Sequence, residues 1–261
     1  MAVQEAAVAL TNGSRPDLIV MTGDFVCHSQ LYLDQLSWIV SQLEAPVLSV
    51  LGNHDYWSGE REVIWALRRG GAEVLRNQHT VITLRGQRLQ VVGLDDAYTG
   101  HASWSDAVRG LSPDLATLGL SHIAEEADAL WEHGVPLVLA GHTHAGQVTL
   151  ARLHELAIGR LAGHKYVHGL YGARRDGGAY PGAVYVSAGI GASVMPLRIG
   201  ESGRREIAVF ELGHEPGSFA EPLPEKRPGR GRTPSAKKRY QRAAAVVARE
   251  KKREKRRAAR R

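Results

Sequence analysis

Pro16-Asp17-Leu18-Ile19-Val20-Met21-Thr22-Gly23-Asp24 is the stretch from which the fold is read. Its apolar run, Leu18 to Met21, is short, continuous and without polar alternation. That is the pattern of a strand buried on both faces. It stops at once in Thr-Gly-Asp. The same design returns in Val50-Leu51-Gly52-Asn53-His54-Asp55 and in Leu139-Ala140-Gly141-His142-Thr143-His144. In open α/β sheets, sites form beyond the carboxyl ends of the strands. Three strands delivering Asp24, Asn53-His54-Asp55 and His142-x-His144 to that edge converge on one pocket. The glycine before each polar residue lets the backbone turn away from the sheet.

Outward from these strands, helix and strand alternate. Residues 2–10 show a helical apolar pattern that Asn12-Gly13 stops. Residues 31–43 read as an amphipathic helix, 46–51 as a buried strand, and 60–69 as a helix ended by Gly70-Gly71. The period then changes: 73–84 and 88–94 read as two strands joined by a turn at Arg85-Gly86-Gln87. A strand at 115–121, a helix at 124–132 and strands at 136–140, 148–150, 183–187 and 206–212 complete an α/β protein with largely buried sheets.

The polar residues at the strand ends form a consistent donor set. Asp24 offers an anionic oxygen able to bridge two cations, and Asn53 a neutral carbonyl oxygen. His142 and His144, at i and i+2, share one face of an extended segment. Mixed imidazole and carboxylate donors suit Zn, Fe or Mn rather than Ca.

Gly23-Asp24, Gly52-Asn53-His54-Asp55 and Gly141-His142-Thr143-His144, in this order and each after a predicted strand, resemble the calcineurin-like metallophosphoesterases. Ser121-His122 fits the family's further histidine, and residues 16–24 and 141–147 are most similar to its bacterial YkuE/YaeI branch. The resemblance runs from about residue 15 to 212. It implies a sandwich of two mixed β-sheets flanked by helices, enclosing two divalent transition metal ions (Mn, Fe or Zn) and a hydroxide that attacks a phosphoester. It implies that Asp24 bridges the ions, that Asn53, His122 and His142 complete one of them, and that His144 binds the other. His54 then stabilises the transition state or protonates the leaving oxygen, and Asp55 orients His54. The family also places an Asp-x-His on a first strand, and no such motif precedes Asp24, so that strand and two ligands of the second ion are expected to be missing. Ile123-Ala124-Glu125 stands where the branch has Asn-Pro-Asp, and Ala145 where it has Gly.

Composition limits the rest. The chain has 261 residues, 43% hydrophobic and 23% charged, as soluble domains are, and no apolar run long enough to cross a membrane. One cysteine, Cys27, excludes an internal disulfide. The net charge of +6 divides sharply: residues 224–261 hold 17 Lys and Arg against 3 Glu, and residues 1–223 hold 16 against 24 acidic groups. A metallophosphoesterase domain over 1–213 is thus followed by a Pro/Gly-rich linker, 214–234, unsuited to regular structure. A basic tail, 235–261, expected to be disordered, can contact anionic lipid or RNA. His164 and His168, in a Gly-rich loop near the pocket, are candidate substrate contacts, and residues 166–180 are where substrate choice is expected to lie.

Two functional readings follow. In the first, the chain is a metal-dependent hydrolase of a phosphomonoester, phosphodiester or pyrophosphate. In the second, it is a truncated, inactive relative that binds through its tail. Scattered loss of ligands is what decay produces, and here only one terminal block is missing, so a mis-assigned start and the enzyme reading are favoured. The default location is the cytoplasm, and a membrane-associated or exported location is the expectation if an N-terminal segment is missing.

Overall fold

A computed structural model describes residues 2–27, 29–143, 164–172, 182–191, 204–213, 225–226 and 228–229. Helix α1 (Ala2–Gly13) leads to β1 (Ile19–Met21), α2 (Leu33–Ser41), β2 (Val47–Ser49), α3 (Asn53–Ser58), α4 (Glu60–Arg69) and β3 (Ala72–Val74). These strands form a parallel sheet in the order β1-β2-β3, with Val20 opposite Leu48 and Leu48 opposite Glu73. Asn12 ends α1 and ties it to the end of α2: its amide donates to the Gln42 carbonyl at 2.8 Å and accepts from the Glu44 N–H at 3.2 Å.

The second half contributes β4 (Gln78–Leu84), β5 (Gln87–Gly93), α5 (Trp104–Ala107), β6 (Ala116–Ser121), a 3₁₀ turn at Ala124–Glu126, α6 (Ala127–Glu132) and β7 (Leu137–Ala140). Short strands β8 (Gly169–Tyr171), β9 (Ala183–Val186) and β10 (Glu225–Lys226) follow. They build a mixed sheet in the order β10-β8-β9-β7-β6-β5-β4, in which β5, β6, β7 and β9 run parallel.

Side chains alternate across each strand, and that alternation makes four layers. Leu48, Val50 and Leu75 from the parallel sheet meet Val91, Leu118, Leu120, Leu139 and Tyr185 from the mixed sheet in one buried cluster. Val47 and Val74 point the other way, under Val40 of α2 and Val63 and Leu67 of α4. Val92, Val138, Val184 and Val186 turn outward beneath Ala127, Leu130 and Trp131 of α6.

Several boundaries differ from the sequence reading. The single strand expected over 73–84 is two strands in different sheets, because Asn77, at φ 52°, turns the chain between them. Its side chain fixes that turn by donating to the His101 carbonyl at 2.8 Å and accepting from the N–H groups of Asp95 and Ser103. Residues 206–212 join no ladder among the described residues. The Glu206 N–H donates to the Gly189 carbonyl, and Ala208 and Phe210 pack on the intersheet core. The segment is held instead by the Glu206 carboxylate, which accepts from the Tyr185 hydroxyl at 2.5 Å and pairs with His168 at 2.6 Å. The linker also holds one piece of regular structure: Glu225–Lys226 pairs in parallel with β8. Prolines bracket those residues, and an extended pair at a sheet edge is the setting in which prolines are tolerated. The expected strand at 148–150 and the tail lie outside the described residues.

The intersheet layer sets the stability. Leu120 is fully buried there and Leu31 is 85% exposed. Leu120→Ala is expected to cost about 2–5 kcal/mol through lost burial and a residual cavity, and Leu31→Ala less than about 0.5 kcal/mol. Urea denaturation of the two variants measures the difference.

Candidate metal centre

The loops after β1 and β2 touch backbone to backbone. Gly23 has φ 91°, and a side chain there would lie 2.5 Å from the Gly52 nitrogen. Gly52 has an ordinary φ of −110° and is needed for a different reason. A Cβ at Gly52 would run into the Asp24 carboxylate and lie 2.7 Å from the His122 ring. Asp24 itself sits at φ 61° and His142 at φ 71°, a region that non-glycine residues seldom enter. Two such residues in one pocket mark a functional site.

Asp55 holds this arrangement together. Its fully buried carboxylate accepts from the N–H groups of Asp24 at 2.9 Å, Phe25 at 2.8 Å, Val26 at 3.3 Å and Gly52 at 2.8 Å. Burial, and then the charge of Asp24, push its carboxyl up to about 7, against the pull of the N–H donors from Gly52 and Asp24. These four bonds give Asp55 a task in the fold that the sequence did not announce. Asp55 fixes the Asp24 loop on the Asn53 loop.

Asp24 is gripped at both ends. Its N–H goes to Asp55, and its Oδ1 accepts from the His54 N–H at 2.9 Å. Its Oδ2 lies 3.4 Å from Nε2 of His122, the residue that follows β6 in the other sheet. The His122 ring donates through Nδ1 to the Thr22 carbonyl at 2.7 Å, which aims Nε2 into the pocket. There Nε2 meets Asn53 Oδ1 at 3.2 Å and His142 Nδ1 at 3.1 Å. Asp24, His122 and His142 each bring a ligand atom within 4.8 Å of the others.

The donor chemistry fits a divalent cation. One carboxylate oxygen, one amide oxygen and two imidazole nitrogens crowd a single point. Burial alone would pull the His122 imidazole down, but the charge and hydrogen bond of Asp24, with Asp96 and the Thr22 carbonyl, outweigh it and push it up to about 9. The pocket thus favours positive charge on or beside this ring. A proton supplies one unit and a divalent ion two, and the Nδ1–H bond to a carbonyl is the usual support of a metal-binding histidine.

The structure brings Asp24, Asn53, His122 and His142 together. The His54 backbone N–H reaches the Asp24 carboxylate, and the His54 Nδ1 lies 3.5 Å from Cys27 Sγ. His144 lies outside the described residues. Three contributors went unread in the sequence. The Thr22 carbonyl is invisible to side-chain patterns. Asp96 is buried two residues past Leu94, and Leu94-Asp95-Asp96 after β5 repeats the strand-then-acid pattern that marks the other loops. Glu125, also buried, accepts from the Lys165 N–H at 2.8 Å and lies 3.2 Å from His164 Nδ1, and the His164 ring rests 5.2 Å from that of His142.

Residues 3–146 match the calcineurin-like phosphoesterase family. The chain belongs to that family. It is 31% identical over 214 residues to the uncharacterized metallophosphoesterase YkuE of Bacillus subtilis, a match spanning 80% of this chain and 72% of that protein. It is 30% identical to the phosphodiesterase YaeI of Escherichia coli, across 79% of this chain and 74% of that one. A transmembrane protein with metallophosphoesterase domain from Bos taurus is 28% identical, with 48% of its length covered. Among the described residues of this calcineurin-like phosphoesterase, no helix is long and apolar enough to cross a membrane.

Gly52→Ala tests the close packing of the centre. The added methyl collides with the Asp24 carboxylate and the His122 ring. Metal content per chain, measured after dialysis, is expected to fall at least about tenfold, as it does on loss of a residue supporting a metal ligand.

Proposed function

We propose that the protein hydrolyses a phosphoester (a phosphomonoester, phosphodiester or pyrophosphate) at this centre. The convergence of Asp24 Oδ2, Asn53 Oδ1 and His142 Nδ1 on His122 Nε2 carries the reading. Asp24, Asn53, His122 and His142 hold one divalent transition metal ion. Asp24 and His144 contribute to a second, with Mn, Fe and Zn the candidates for both. When bound, such ions neutralise phosphoryl oxygens and make water nucleophilic at neutral pH.

The remaining tasks belong to the chain. Asp55 and the His54 N–H hold Asp24 in its uncommon backbone conformation. The His54 ring follows a ligand in sequence without being one, and it delivers a proton to the leaving oxygen. His54→Ala is expected to keep its metal and lose roughly 10²–10⁴-fold in turnover, the usual loss for a general acid. The loss should be larger for an alkyl ester than for an activated aryl ester, because the poorer leaving group needs the proton more. Asp24→Ala is expected to lose both metal and turnover, and retained hydrolysis of an aryl phosphodiester by Asp24→Ala would refute the assignment.

The basic tail supplies attachment to an anionic surface, lipid or RNA. Since β10 belongs to the folded body, deletion of residues 230–261 is the appropriate cut. Turnover is expected to be unchanged and retention on heparin to be lost. Equal retention with and without those residues places the attachment elsewhere.

A further inference from the structure

Two aromatic rings join the proton donor to a metal ligand. Trp57 lies on α3, four residues after Asn53, and its ring meets that of His54 edge to face at 4.8 Å. Tyr98 meets Trp57 at 5.9 Å with the ring planes 82° apart, and reaches His142 at 5.3 Å. Both rings are half-buried.

The wall is held in place from beneath. Tyr98 stands on the tight turn after β5, where the buried Asp96 carboxylate accepts from the Tyr98 N–H at 3.3 Å and the Thr99 N–H at 2.7 Å. The His101 N–H closes the turn on the Asp96 carbonyl at 2.9 Å. Trp57 is fixed by the helix that also presents Asn53 and His54. Neither ring is therefore a loose surface group.

We infer that Trp57 and Tyr98 form the subsite for the organic group of the phosphoester, and that they select a planar aromatic group there. This rests on the hydrolase reading above. A phosphoryl group at the Asp24, His122 and His142 cluster has its leaving oxygen toward His54, and what is attached to that oxygen then lies along the ring in contact with His54. Two rings set at nearly a right angle offer a corner. A flat ring stacks on one wall and meets the other edge-on, the two arrangements aromatic pairs prefer. A flexible or branched alkyl group gains only its burial. An aryl ring and a nucleobase share the chemistry.

The test uses the metal-loaded full chain and four phosphonates, carrying methyl, cyclohexyl, phenyl and nucleoside groups, with binding read by calorimetry and inhibition. Phenyl or nucleoside phosphonate is expected to bind roughly 3- to 10-fold more tightly than cyclohexyl, which matches phenyl in size but is not flat. Which of the two binds better tells an aryl ring from a nucleobase. Trp57→Ala and Tyr98→Ala are each expected to bring the ratio near one, and Trp57→Phe to retain most of it. Equal binding of cyclohexyl and the flat groups by the unaltered protein overturns the subsite while leaving the hydrolase reading intact. Absence of both hydrolysis and phosphonate binding overturns the two together.

Discussion

A buried carboxylate that has lost its water must recover its hydrogen bonds from the protein. Asp55 does so with four backbone N–H groups, one from the loop after β2 and three from the loop after β1. The clamp joins two loops that the sequence separates by about thirty residues. It also explains how Asp24 remains at φ 61°. A non-glycine residue left to itself would relax out of that region. Here its N–H is bonded to Asp55 and its carboxylate to the His54 N–H, so relaxation would break both bonds.

The second constraint crosses the sheets. His122 extends from the mixed sheet and donates to the carbonyl of Thr22, which follows β1 of the parallel sheet. The metal centre is therefore built on the seam between the layers, above the cluster of Leu48, Val50, Leu118 and Leu120. A donor set is useful only if its atoms stay within a few tenths of an ångström of their places. For these residues that precision is inherited from how tightly the two sheets interlock. Stability and site geometry are one property of the intersheet layer.

Much of this was legible because strands, turns and ligands obey local rules. An apolar run ending in Gly-Asp, Gly-Asn-His-Asp or Gly-His-Thr-His states both the strand and the edge at which it delivers its polar residues. What stayed hidden depends on partners distant in sequence. Asp55 looks like part of a catalytic string, and only the folded loops reveal that it gathers four backbone N–H groups from two distant loops. Asn77 looks like an ordinary strand residue between Arg76 and Gln78. Its three side-chain hydrogen bonds, to residues around positions 95–103, are what divert the chain into the other sheet. Residues 206–212 have the composition of a strand, but a ladder needs a neighbour in register, and composition does not say where the neighbour is.

Electrostatics gives the site its direction of use. Residues 1–223 hold more acidic than basic side chains, 24 against 16, so their overall field repels a phosphoester. Around the centre acidic groups gather as well: Asp24, Asp55 and Asp96 lie there, with the His122 imidazole pushed up to about 9 beside Asp24. The acidic groups and imidazoles that converge here make the pocket attractive to a divalent cation, whose charge would be the largest in its site.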